Sequence, residues 1–105
     1  MPSESVENYL SEILRLEEAE AAASTGALAD RLQVAQPSVT GMLRRLADDR
    51  LVRYEPYRGA RLTGPGRRRA RALLRRHRLV ETFLVRALGM APDRVHDEAH
   101  RWEHA

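Results

Sequence analysis

The stretch from Leu51 to Thr63 constrains this chain most, because there a helical spacing of apolar residues gives way to alternation. Leu51-Val-Arg-Tyr54-Glu alternates as a strand does, Pro56-Tyr-Arg-Gly59 reads as a turn, and Ala60-Arg-Leu62-Thr63 makes a short return strand. A hairpin at that point, after three helical segments and before a long fourth one, leaves few folds open.

The three segments before it are amphipathic. From about Ser3 to Glu20, Val6, Tyr9, Leu10, Ile13, Leu14 and Leu16 follow the spacing of one helix face. Thr25-Gly-Ala-Leu-Ala-Asp-Arg-Leu-Gln reads as a short second helix with Ala27, Leu28 and Leu32 inward, capped by Ser24 or Thr25. The third carries Pro37 at its first position and an inward stripe of Val39, Leu43 and Leu46. Its other face carries Ser38, Thr40, Gly41, Arg44 and Arg45. Two short helices joined by a tight turn, the second opening on small polar residues and ending in Arg, form a helix-turn-helix pattern. Small groups let such a helix approach base edges, and Arg one turn later reaches phosphate or guanine. The hairpin that follows is then a wing, with Arg58 at its tip. The fold class expected is mainly α with a small β-hairpin: a winged helix-turn-helix over residues 1–63, then a long linker helix and a last helix over 64–105.

Charge agrees with a nucleic-acid partner. Residues 1–30 hold one Arg against seven acids, residues 31–80 hold fourteen Arg against three, and residues 81–105 hold three against five. The net charge of +3 therefore hides a strongly basic middle block. Arginines in such a block displace counterions from a polyanion. Every basic side chain is Arg, a planar donor fork that stays charged. With 105 residues and no Cys, the chain has room for one modest core and no disulfide or thiolate site. The acidic start Met-Pro-Ser-Glu-Ser-Val-Glu and the short apolar runs predict a cytoplasmic protein without a membrane partner.

Beyond the hairpin, Thr63 is placed to cap a long helix reaching about Leu88, where Gly89 stops it. Its first half is rich in Arg, and its apolar stripe is Ala70, Leu73, Leu74, Val80, Phe83 and Leu84. Pro92 opens a last helix with Val95, Ala99 and Trp102 on one seam; Trp102 packs either into the core or against a second subunit. All four histidines lie in this last part. His96, His100, Glu103 and His104 return to one helix face, and His77 and Glu81 repeat the four-residue spacing upstream. Imidazoles and carboxylates converging from two helices are the donor set of a divalent metal site. A hydrolase is the competing chemistry, because His100-Arg-Trp-Glu103-His104 fits the inverted zinc-peptidase pattern His-x-x-Glu-His. That match is short, has no third ligand downstream, and leaves the basic block without a purpose.

From Ser3 to Ala105 the chain resembles the diphtheria toxin repressor and manganese transport regulator family of metal-dependent repressors. The resemblance rests on Ser5-Val-Glu-Asn-Tyr-Leu, Gln36-Pro-Ser-Val-Thr, Tyr54-Glu-Pro-Tyr-Arg-Gly, His77-Arg-Leu-Val-Glu81 and Val95-His-Asp-Glu-Ala-His-Arg-Trp-Glu-His104. It marks residues 64–105 as the start of a helical metal-binding and dimerisation region. It implies a homodimer that binds a palindromic double-stranded DNA operator when a divalent metal, Mn(II) or Fe(II), is abundant, and so represses metal-uptake genes. Carried onto this sequence, His77, Glu81 and His96 match an ancillary metal site, His100, Glu103 and His104 match the main one, and Asn8 takes the first-helix ligand position. It also implies base readout by Gln36, Ser38 and Thr40 with Pro37 in van der Waals contact, Gly41 replacing a polar residue of the recognition helix. His100 replaces the Cys or Glu found in the two branches. Ser11 removes a candidate bridging carboxylate, and Glu12 points elsewhere on its helix. Such nitrogen and oxygen donors would hold Zn(II), Co(II) or Ni(II) more tightly than Mn(II) or Fe(II), so availability in the cell decides the metal. Family members continue with further dimerisation helices after the Glu-His pair, so the chain is expected to be either a fragment or a protein with a weak dimer. The alternative is a winged-helix DNA binder with no metal response, its metal site structural or vestigial.

Overall fold

Helix α1 (Glu4–Ala19) opens the fold in the computed structural model, which describes residues 4–19, 22–89, 99–101 and 103. The residues spaced as its inward face are the ones it buries: Val6, Tyr9, Leu10, Ile13, Leu14 and Leu16. Burial also pushes the Tyr9 phenol up, which keeps it neutral. Helix α2 (Thr25–Leu32) follows, with Ser24 as its cap, the hydroxyl accepting from the Ala27 N–H at 3.0 Å. It ends at Gln33 in the left-handed conformation, whose N–H donates to the Ala29 carbonyl.

Helix α3 (Gln36–Asp48) starts without a side-chain cap; Gln36 takes the first position and Pro37 the second, one place later than its spacing predicts. Val39, Leu43 and Leu46 are completely buried and pack α3 on its neighbours α2 and β1. Each contributes about 1.5–3 kcal/mol in apolar burial. Strands β1 (Val52–Glu55) and β2 (Gly59–Leu62) form the expected antiparallel hairpin, with Val52 opposite Leu62 and Glu55 opposite Gly59.

Two contacts that sequence spacing does not announce fix the hairpin to the helices. Ala23 and Ala60 exchange both backbone hydrogen bonds, at 3.0 and 2.8 Å, adding a one-residue third strand. Glu17, nearly buried, accepts from the Leu62 N–H at 3.3 Å and from the Arg67 guanidinium at 3.1 Å. One carboxylate thereby covers the free edge of β2 and pairs with the start of the next helix.

That helix is α4 (Gly64–Leu88). Thr63 caps it as expected, accepting from the Gly66 N–H at 3.1 Å while its hydroxyl donates to the Arg50 carbonyl at 2.7 Å. Gly66 presses on the chain before the hairpin: a Cβ there would lie 1.9 Å from the Leu51 carbonyl oxygen. Gly89, at φ +66°, ends the helix.

The molecule divides into two compact units, Met1–Arg71 and Ala72–Ala105, with α4 contributing to both. In the second, Leu84 and Ala99 are buried together with Val80 packed on them. Phe83 departs from its expected inward place and is about half exposed. Val80 and Leu84, four residues apart, define the seam, and Phe83 falls a helical step of about 100° to its side. Val95 and Trp102 lie outside the described residues. No described helix is long and apolar enough to cross a membrane.

Candidate DNA-binding face and metal centre

The first unit presents one polar face. Gln36, Pro37, Ser38, Arg44 and Arg45 are exposed on α3, and Thr40 is half-buried among them. Gln36, Thr40 and Arg44 stand at successive four-residue steps, so they form a row along the helix. Gly41 is exposed beside that row, and nothing lies within 4 Å of where its Cβ would stand.

The row borders a cleft of about 440 Å³. Its other walls are the start of α2, at Ser24, Thr25 and Gly26, and the hairpin, at Tyr54, Pro56, Tyr57 and Gly59. Among its described lining residues there is no carboxylate, and Arg44 is the one charged side chain. Arg58, expected at the wing tip, lies in the turn with a well-exposed side chain, 3.7 Å from Glu55. Its neighbour Tyr57 is fully exposed. Spacing did not single out Tyr57 or the Ser24–Gly26 wall. Serine before a helix reads first as a cap, and a tyrosine between Pro and Arg reads first as turn filler.

The second unit holds the polar cluster. On α4, His77 lies between two carboxylates: its Nδ1 is 2.7 Å from Glu103 Oε2, and its Nε2 pairs with Glu81. The Glu103 side chain is only 5% exposed and that of His77 12%. A carboxyl group so far from water needs a hydrogen-bonding partner, which the His77 ring provides. Both nitrogens of the ring face carboxylate oxygens. His100 is half-buried in the helical stretch at 99–101.

These donors match a divalent ion in kind, nitrogen and oxygen without sulfur. Glu81 and Glu103 face the two nitrogens of one imidazole, an arrangement that helical spacing alone does not specify. Among the described residues, no three His, Cys, Asp or Glu side chains converge on a common point. His96, Trp102 and His104 lie outside the described residues. Asn8 sits half-buried on α1 in the first unit, and Glu12 is engaged by Arg15 at 3.0 Å and Arg31 at 3.8 Å.

Two family models cover nearly the whole chain: the N-terminal DNA-binding domain of iron dependent repressors over residues 1–60, and their metal-binding and dimerisation domain over 63–105. The chain belongs to the iron dependent repressor family. The diphtheria toxin repressor of Corynebacterium glutamicum is 39% identical over 101 residues, which is 96% of this chain and 44% of that repressor. This chain therefore spans less than half the length of that relative. The regulator MntR of Listeria monocytogenes is 38% identical over 104 residues, 99% of this chain and 72% of MntR. Among solved structures, a manganese-dependent transcriptional repressor in complex with manganese superposes with a TM-score of 0.81 at 42% identity, over 93% of this chain and 45% of that one. The metal-dependent regulator MtsR superposes with a TM-score of 0.84 at 30% identity, over 94% and 46%. The family consists of DNA-binding repressors, which removes the hydrolase reading: His100-Arg-Trp-Glu103-His104 lies inside the metal-binding and dimerisation match.

Proposed function

We propose that this chain is the DNA-binding and metal-sensing part of a transcriptional repressor that closes its operator when Mn(II) or Fe(II) is plentiful. The observation that carries the reading is His77, held between Glu81 and a buried Glu103 inside the stretch matched by the family's metal-binding domain. Mn(II)-dependent and iron-dependent repressors are both among its relatives.

In this reading His77, Glu81 and His96 serve an ancillary site, and His100, Glu103 and His104 the main one, with Asn8 in the first-helix ligand position. The ion supplies positive charge that the carboxylates otherwise draw from the imidazole. Metal binding orders the helical region, which pairs as a homodimer. Leu79 and Phe83, four residues apart, give α4 an exposed apolar strip for such pairing, and Trp102 is a further candidate for the interface. Two copies then present two α3 helices at a fixed separation, about one turn of duplex or a multiple of it, which selects a palindromic operator. Gln36, Pro37, Ser38 and Thr40 face base edges while Arg44, Arg45 and Arg58 hold phosphates. Such a regulator works in the cytoplasm, beside the DNA it controls.

Titrating Mn(II), Fe(II) and Zn(II) into the protein with duplexes it selects from a random pool tests this. Affinity should rise about 5- to 150-fold with metal. Glu103→Gln should abolish the response while leaving metal-free binding unchanged. Binding that a chelator does not alter would instead favour a winged helix with no metal response.

A further inference from the structure

The geometry points to Tyr57 as a contact to the DNA backbone, its phenol donating to a phosphate of the strand that flanks the half-site read by α3. This inference rests on the repressor reading above.

Three observations converge on the residue. Tyr57 is fully exposed at the tip of the hairpin. It also sits at φ +69°, in the left-handed region that a bulky side chain rarely adopts. The turn is closed by the Arg58 N–H donating to the Glu55 carbonyl at 3.1 Å, with Pro56 second and Tyr57 third, where such turns prefer Gly or Asn. The chain thus accepts backbone strain at Tyr57, and the ring returns no burial for it. Strain of that kind, held at an exposed position, is a mark of use.

The third observation is where the ring stands. Tyr57 lines the same cleft as the Gln36, Thr40 and Arg44 row, with no carboxylate among its described lining residues. With α3 in the major groove, the adjacent sugar-phosphate strand runs between that row and the hairpin. A neutral phenol there donates to a phosphate without releasing a counterion, unlike Arg44. It therefore adds affinity that is independent of sequence and contributes nothing to the salt dependence.

The test uses the full chain with Mn(II), a duplex selected by the unsubstituted protein from a random pool, and an unselected duplex. Tyr57→Gly should weaken binding to both by about the same factor, roughly 10-fold, and Tyr57→Phe by roughly 3-fold. The slope of log affinity against log salt should stay as it was for both, whereas Arg44→Ala should reduce it by about one. Melting of Tyr57→Gly should occur at the same temperature or higher, since the strain is relieved, which separates lost contact from lost fold. Unaltered affinity in Tyr57→Gly or in Tyr57→Phe would overturn the assignment. So would a loss confined to the selected duplex, which would mean a base contact. Should the unsubstituted protein select no duplex with any metal, the repressor reading falls and this inference with it.

Discussion

The two units are held together by different means. The first buries an apolar core contributed by three helices, a hairpin and the start of α4, with most of its arginines exposed and Arg67 paired to the nearly buried Glu17. In the second, a small apolar cluster of Leu84, Ala99 and Val80 accompanies an imidazole set between two carboxylates. Apolar burial is indifferent to small ions, whereas a buried carboxylate is worth only what its cation supplies. The difference teaches that a metal ion has leverage on the second unit and little on the first.

The strongest way to break that contrast is Leu43→Ala. Removing a fully buried side chain from α3 should cost about 2–5 kcal/mol and abolish duplex binding, as measured by denaturant melts and gel shifts. Manganese binding followed by calorimetry should survive. If it vanishes too, the units do not stand apart energetically.

Metal removal is next in size. An ion at a hundred times its dissociation constant stabilises by about 2.7 kcal/mol, so Mn(II) should slow amide exchange over residues 72–89 and leave α3 unchanged. Equal slowing in both units would count against the contrast, and His77→Ala should remove the effect altogether. Smaller is Gly66→Ala, in which the new methyl meets the Leu51 carbonyl and the start of α4 must shift; about 1–3 kcal/mol should be lost, visible in the melting of the first unit alone. Thr63→Ala sharpens the picture most gently. Loss of the cap on α4 should cost about 1 kcal/mol, and a cost near zero would mean that water replaces the hydroxyl.

What could be read in advance follows the range of the interaction. The Val39, Leu43 and Leu46 stripe, the Ser24 and Thr63 caps and the stop at Gly89 depend on near neighbours in sequence, and the structure has them all. Glu17 was silent, because its partners Leu62 and Arg67 lie 45 and 50 residues away and no local pattern encodes them. Phe83 misled, since an apolar residue beside a seam has nearly the spacing of one within it. In the second unit, spacing singled out His77, Glu81 and Glu103 as candidate donors but not that the two carboxylates would face the two nitrogens of one ring. That arrangement depends on how α4 and the segment bearing Glu103 pack, which helical periodicity does not contain.

Gly41 has a consequence for how such a regulator can change its targets. It is exposed on the helix proposed to read the duplex, with open space where a side chain would grow. Most residues of a recognition helix answer to two masters, the core and the DNA, so new preferences come at the expense of old stability. Here a substitution is released from the first obligation, and replacing glycine inside a helix stabilises by about 0.5–1 kcal/mol. The position is a vacant letter in the recognition code: a lineage or a designer can write Asn, Gln or Arg there and shift which operators are bound while the scaffold beneath stays as it is.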